Sequence, residues 1–195
     1  MSARRAVTRR GPVAWLTVAI AAVALSSCGP PLSQPQKARL AGWLSCEDCA
    51  RVWRSWVVDT LGPCAVPALG LALDGPPTSA RDAYERSLRM HYLAVRRAAL
   101  RDSANHLAVL SVGPTAFTRF YLRSFASTWQ LRAASALAGI GTLEARGAVE
   151  LALDRHPQPD STLGPRVRHV LDSLLAAPGV WTTTGPGGTS SCGLP

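Results

Sequence analysis

The chain has 195 residues, of which 47% are hydrophobic, and its formal net charge is +9 at pH 7. This length and apolar content suffice for one domain with a hydrophobic core, and they exclude a wholly disordered chain. Four of the basic residues lie in the first ten positions, and the remaining ones are scattered. Nucleic-acid binding would need basic residues clustered on one face, so the charge does not predict a nucleic-acid partner.

The N-terminal segment has the pattern of an export signal. Its basic first ten residues precede an apolar run of 13 residues from Val13 to Leu25. A permanent membrane-spanning helix needs about 20 apolar residues, so the run is short for that role. A basic segment followed by a short apolar run is typical of a secretory signal peptide, which we assign to residues 1–27.

This segment ends in the sequence Leu25-Ser26-Ser27-Cys28. An aliphatic residue, two small residues and a cysteine resemble the lipobox of bacterial lipoproteins. The resemblance implies that the Cys28 thiol receives a diacylglyceryl group, that cleavage occurs before it, and that acyl chains anchor the mature protein in a bilayer. Gly29 stands where an aspartate would resemble an inner-membrane retention signal, which favours the outer membrane, with the domain facing the periplasm. An ordinary signal peptide with a chance cysteine is the alternative.

The mature chain divides into three predicted segments. Residues 28–39 contain three prolines and no periodicity, which predicts a flexible tether. Residues 179–195 are rich in Gly, Thr, Ser and Pro, which predicts a disordered tail. Residues 40–178 show helical periodicity and no sustained period-two alternation, so we predict an all-α domain.

Three apolar stripes indicate helices within this domain. They consist of Val167, Val170, Leu171, Leu174 and Leu175, of Ala145, Ala148, Val149, Ala152 and Leu153, and of Leu88, Tyr92, Val95 and Ala99. Such spacings place apolar side chains on one face of a helix. The third stripe belongs to a longer helix over about residues 80–102, which Glu85 and Arg89 would support as an i, i+4 ion pair.

Two segments of the domain are similar to each other. The sequence AVPALGLALDG at residues 65–75 aligns without a gap on ARGAVELALDR at residues 145–155, at an offset of 80 residues. Gly62 and Gly141 precede the two copies, and each follows an aliphatic residue. A glycine at such a position predicts a left-handed helix cap that turns the chain into a partner helix.

These helix–turn–helix units, at residues 61–75 and 131–155, resemble HEAT repeats in their short, Ala-rich bacterial form. The resemblance implies a short right-handed solenoid of antiparallel helix pairs, whose concave face typically binds other proteins and rarely carries out chemistry. The offset is twice the roughly 40-residue period of helix-pair solenoids, with an irregular unit between the two copies. A generic Ala/Leu-rich helical bundle is the alternative.

Four cysteines remain besides Cys28. They are Cys46, Cys49, Cys64 and Cys192, an even number, which allows three disulfide pairings in an oxidising compartment. Cys46 and Cys49 form a C-x-x-C motif at the expected start of a helix, where a thiol–disulfide redox centre is one interpretation. The acidic residues between them and the missing βαβ context favour a structural disulfide, and a metal site would need a second close cysteine pair.

The search for catalytic chemistry gives no candidate. The histidines lack metal-type spacing, no paired acid and base is evident, and the glycine-rich GPGG sequence lies in the predicted tail. We therefore predict a protein that is not an enzyme and that needs no cofactor or metal.

Aromatic and arginine side chains form the remaining signal. The candidates for partner binding are Phe117, Arg119, Phe120, Tyr121, Arg123 and Trp129. Aromatic residues and arginine are enriched at binding hot spots, whereas helical aromatic stripes more often point into a core. The sequence thus favours a lipid-anchored scaffold that binds another envelope protein, and a thiol–disulfide oxidoreductase using Cys46 and Cys49 is the alternative function.

Overall fold

The computed structural model describes residues 31–46, 56–101, 111–158 and 162–183. The predicted signal peptide, Cys28, Cys49 and Cys192 lie outside these ranges. Within them, six α-helices account for most residues, and the β-structure is limited to an isolated parallel bridge between Thr142 and Thr182. The all-α prediction is therefore confirmed for the described part of the chain.

The helices follow one another with short connections between several of them. They are α1 Gln34–Ser45, α2 Val66–Ala72, α3 Thr78–Arg101, α4 Pro114–Ile140, α5 Leu143–Arg155 and α6 Pro165–Ala176, and a π-helical segment Trp56–Leu61 and a 3₁₀ turn Gly62–Ala65 lead into α2. The predicted long helix over residues 80–102 corresponds to α3. Among the described residues, no helix combines the length and the apolar character needed to cross a membrane.

The first helix corrects the predicted tether. Ser33 caps α1: its hydroxyl accepts from the backbone N–H of Gln36, whose side chain accepts from the backbone N–H of Ser33. This reciprocal pair satisfies two N–H groups that would otherwise lack partners at a helix start. Leu32 is also buried in the core. The prediction of a flexible tether over residues 28–39 was therefore wrong for residues 32–39, because a capping box was read as a polar linker.

Helix α4 is the centre of the fold. It packs against every other α-helix described and against the π-helical segment. In its C-terminal half, buried side chains from Phe125 to Ile140 meet the apolar faces of its neighbours. Arg132 donates to the backbone oxygens of Trp43 and Leu44 at 3.0 and 3.1 Å, so it also fixes the end of α1 against α4.

The glycine caps predicted before the two similar segments are present. Gly141 ends α4 in the left-handed region, with φ 66°, and Gly62 has φ 49°. Thr142 then starts α5 by accepting a hydrogen bond from the backbone N–H of Ala145. The glycine lets the chain reverse sharply, and the threonine satisfies the new helix.

The two similar segments are direct neighbours in space. Helices α2 and α5 are in contact, and a Cβ built on Gly70 would lie 3.2 Å from Cβ of Ala148. Just beyond the end of α2, the Asp74 carboxylate is 2.8 Å from Arg155 at the end of α5. The contacts therefore advance in the same direction along both helices. The two copies are therefore in contact, although 80 residues separate them in sequence.

The start of the predicted tail belongs to the folded domain. Trp181 packs against the core, and its Nε1 donates to the Leu174 oxygen at 2.9 Å. The backbone N–H of Thr182 donates to the Gly141 oxygen at 2.7 Å. The prediction of disorder was therefore wrong for residues 179–183, because one tryptophan and one backbone bond fix a segment of disorder-prone composition. Residues 184–195 lie outside the described part.

Candidate functional site

The side of α4 that faces the core in its C-terminal half lines an open groove in its N-terminal half. Trp129 and Ala133 are buried on this side, and seven residues before them come Leu122 and Ala126. Residues seven apart lie on nearly the same side of an α-helix. Because Leu122 and Ala126 line a cavity, the side that forms the core in one half of α4 forms a groove wall in the other.

The groove lies between α3 and α4 and has a volume of about 750 Å³. Clefts of this size fall within the range of small-ligand pockets. One end of the groove is closed by the loop after α2 and by Thr162. The lining residues are Asp74, Gly75, Pro76, Arg81, Glu85, Arg89, Pro114, Thr115, Thr118, Arg119, Leu122, Arg123, Ala126 and Thr162.

Arginine dominates the charge of the groove. Arg81 and Arg89 project from α3, and Arg119 and Arg123 from α4, against the carboxylates of Glu85 and Asp74. Glu85 accepts a hydrogen bond from Arg89 at 2.6 Å, which confirms the predicted i, i+4 pair. Among the described residues, no carboxylate forms an ion pair with the other three arginines, which leaves the groove with excess positive charge.

A polar network holds the closed end of the groove. Asp74 accepts two hydrogen bonds from Arg155, at 2.8 and 3.1 Å, and His156 Nε2 lies 3.3 Å from the same oxygen. Gln130, which is 1% exposed, donates from its amide to the backbone oxygens of Leu73 and Thr162. The network neutralises Asp74 locally and ties the loops on either side of the groove to α4.

Three of the predicted aromatic candidates, Phe117, Phe120 and Tyr121, occupy a different side of α4. Phe117 contacts Tyr92 of α3 and Tyr121, with ring centroids 5.2 and 4.6 Å apart. Phe120 is 68% exposed and meets Tyr121 edge to face at 5.3 Å. This cluster holds α3 and α4 together and presents an aromatic surface beside the groove.

The structure thus divides the six predicted partner-binding residues. Arg119 and Arg123 line the groove, and Phe120 and Tyr121 are exposed on the aromatic surface. Phe117 is half-buried between the two helices. Trp129 is 3% exposed and lies in the core, so it cannot contact a partner. For this residue, the interpretation as a core residue, left open by its helical spacing, is the one that its burial supports.

Helix α3 contributes to this site residues that the sequence did not indicate as binding candidates. Arg81 and Arg89 lie eight residues apart and share a helix face with Glu85. The sequence predicts Glu85 and Arg89 as an i, i+4 ion pair and assigns no role to Arg81. What the sequence did not reveal is that this face borders a cavity, because that depends on how α3 docks on α4.

The cysteines and possible metal ligands give no reactive centre in the described residues. Cys46 and Cys64 are both disulfide-bonded, and Cys64 is buried. Cys49 and Cys192 lie outside the described ranges. Within those ranges, no group of three or more His, Cys, Asp or Glu side chains is placed to hold a metal ion.

Comparison of the chain with protein-family models, curated proteins and solved structures found no match.

Proposed function

We propose that this chain is a bacterial lipoprotein that acts as a non-catalytic, protein-binding scaffold in the cell envelope. Acyl chains on Cys28 anchor it, and the outer membrane is favoured because Gly29 follows the cysteine. The observation that carries the scaffold role is the open groove between α3 and α4, where three arginines that form no ion pair with a described carboxylate adjoin exposed aromatic rings. Arginine and aromatic side chains are the residue types that dominate binding energy at protein interfaces.

We also propose a HEAT-like arrangement for the helices. In this arrangement, α2 and α5 are equivalent helices of adjacent units. Two observations support it: their sequences are similar, and the two helices lie in contact and run in the same direction. The 80-residue offset then reflects an insertion, α3 with the first half of α4, rather than an intervening unit. A right-handed solenoid built from these units remains a prediction, since α4 also contacts helices well outside its own pair.

Capture followed by direct binding tests the scaffold role. The full chain, tagged at its C-terminus, is used to recover proteins from solubilised envelopes, and each recovered protein is purified and titrated against the chain by calorimetry. We expect at least one envelope protein to bind with saturable stoichiometry. If no recovered protein binds directly, the scaffold function is wrong.

The thiol–disulfide oxidoreductase is the second candidate. Two observations favour a structural disulfide over a redox centre: Cys46 and Cys64 are disulfide-bonded, and Cys64 is buried. Redox cysteines, in contrast, are accessible to their substrates. Alkylation with and without reductant, followed by mass spectrometry, separates the two. Turnover of a disulfide substrate that Cys49→Ser abolishes would establish the oxidoreductase.

A further inference from the structure

The charges of the groove are arranged in rows along its two walls. On α4, Arg119 and Arg123 are four residues apart, which is about 6 Å along a helix, and on α3, Arg81 and Arg89 are about 12 Å apart. The rings of Tyr84 and Phe125 stack at 4.2 Å, and those of Tyr92 and Phe117 lie 5.2 Å apart. These pairs show that α3 and α4 run antiparallel, so Arg89 lies at about the level of Arg119 and Arg123, and Arg81 lies further along the same groove.

These arginines are available to a ligand. Arg81, Arg119 and Arg123 are exposed, and none forms an ion pair with a described residue. A guanidinium presents a planar fork of donors that matches a carboxylate in two parallel hydrogen bonds. The walls also carry the hydroxyls of Thr115 and Thr118, with apolar Leu122 and Ala126 between the charged positions.

We propose that the groove binds an extended, acidic peptide segment of the protein partner, an inference that rests on the scaffold function proposed above. Charges in rows match a ligand whose negative groups are spread along its length, rather than a single phosphate. The wall from Thr115 to Ala126 is about 16 Å long, which accommodates roughly five residues of extended chain.

The probe is a fluorescein-labelled hexaglutamate peptide, titrated against the full chain and followed by fluorescence anisotropy at low salt. Hexaglutamine, of equal length and without charge, is the control ligand. We expect saturable binding of hexaglutamate, weakening as salt is added, and at least about tenfold weaker binding of hexaglutamine.

A pair of matched variants locates the binding. Arg119→Gln/Arg123→Gln removes two charges from the groove, and Arg96→Gln/Arg97→Gln removes two from exposed positions of α3 that do not line it. We expect the first to weaken hexaglutamate binding about tenfold or more and the second less than about twofold. Equal losses in both variants would mean nonspecific attraction and would overturn the proposal.

Two further arms test other anionic ligands. Inorganic phosphate and phosphatidylglycerol vesicles are titrated in the same assay and against the same variants. We expect phosphate to displace hexaglutamate only at ionic strengths at which chloride also displaces it. We expect the Arg119→Gln/Arg123→Gln variant to bind vesicles as the wild-type chain does. A groove-dependent affinity for phosphate or vesicles that exceeds the affinity for hexaglutamate would overturn the assignment to a peptide.

The captured partner distinguishes this inference from the scaffold function. If a partner binds the wild-type chain and the Arg119→Gln/Arg123→Gln variant equally well, the scaffold stands and the groove inference fails. If no envelope protein binds the wild-type chain, the scaffold function fails, whatever hexaglutamate does.

Discussion

Gln130 illustrates how a single polar side chain organises the interior. It is 1% exposed and lies among apolar residues of α4, yet its amide group donates to Leu73 at 2.9 Å and to Thr162 at 2.5 Å. Both acceptors are backbone oxygens of loops that close the groove. A buried polar group is tolerated when it is hydrogen-bonded, and removing the Gln130 amide takes one donor from each of the two acceptors.

We expect Gln130→Leu to lower the free energy of unfolding by about 1–3 kcal/mol, because the buried Leu73 carbonyl and the part-buried Thr162 carbonyl each lose this donor. Urea denaturation followed by circular dichroism measures the change. Gln34→Leu, at an exposed position of α1, is the matched control and should change stability by less than about 0.5 kcal/mol. A Gln130→Leu variant as stable as the wild type would show that the two bonds contribute nothing.

At the scale of elements, close approach between helices depends on small residues. Helices α2 and α5 pack where Gly70 faces Ala148, and an added Cβ would lie 3.2 Å from the alanine methyl. This distance is shorter than ordinary carbon–carbon contact, so a larger side chain has to push the helices apart.

Gly70→Leu should therefore destabilise the domain by about 1–3 kcal/mol through overpacking. Gly147→Leu, on the exposed face of α5 where an added Cβ would meet nothing within 4 Å, introduces the same side chain into a helix without a clash. That control should be neutral or slightly stabilising, because leucine favours helix more than glycine does. Thermal melts of both variants measure the difference, and equal melting temperatures would contradict the close contact of α2 with α5.

The end of α1 is held by a charged side chain from the central helix. Arg132 donates to two backbone oxygens in the last turn of α1, those of Trp43 and Leu44. The last four carbonyl groups of a helix lack the usual i+4 partner, and the Trp43 oxygen also accepts from the backbone N–H of Cys46. The guanidinium also places positive charge at the negative end of the helix dipole, which is favourable.

We expect Arg132→Met, which keeps most of the apolar stem, to cost about 1–3 kcal/mol of stability. Arg97→Met, at an exposed position of α3, removes the same charge without removing a described contact. Hydrogen exchange should show faster exchange in α1 for the first variant alone. Unchanged exchange in α1 would mean that Arg132 does not fix this helix.

At the scale of the whole molecule, the proposed function joins an anchor to a binding surface. Cys28 precedes the buried Leu32 by four residues, so an acylated cysteine would keep the domain close to the bilayer. Two or three acyl chains give stable attachment, whereas one chain gives marginal attachment.

Metabolic labelling with an alkyne-tagged fatty acid tests the anchor in the producing bacterium. The wild-type chain and Cys49→Ala should both incorporate the label, whereas Cys28→Ala should not, because its side chain lacks the thiol that accepts the lipid. Mass spectrometry should also place the mature N-terminus at Cys28. Label that persists in Cys28→Ala would contradict the lipobox assignment.

The sequence by itself determined the helical class, the extent of α3, and the glycine caps at positions 62 and 141. These features are local: they depend on apolar periodicity and on backbone conformations that glycine adopts at little cost. The sequence was less informative at the domain ends. The capping box at Ser33 and the contacts of Trp181 were hidden in segments of linker-like composition.

Only the tertiary structure decided which similar segments touch and which charged faces meet. The 80-residue offset suggested an intervening unit, but α2 and α5 are in direct contact. Arg81 and Arg119 belong to one groove because α3 docks antiparallel on α4, and this docking comes from aromatic contacts between residues far apart in sequence. Helical periodicity fixes which side of a helix is apolar, whereas the choice of partner helix depends on how complete surfaces fit together.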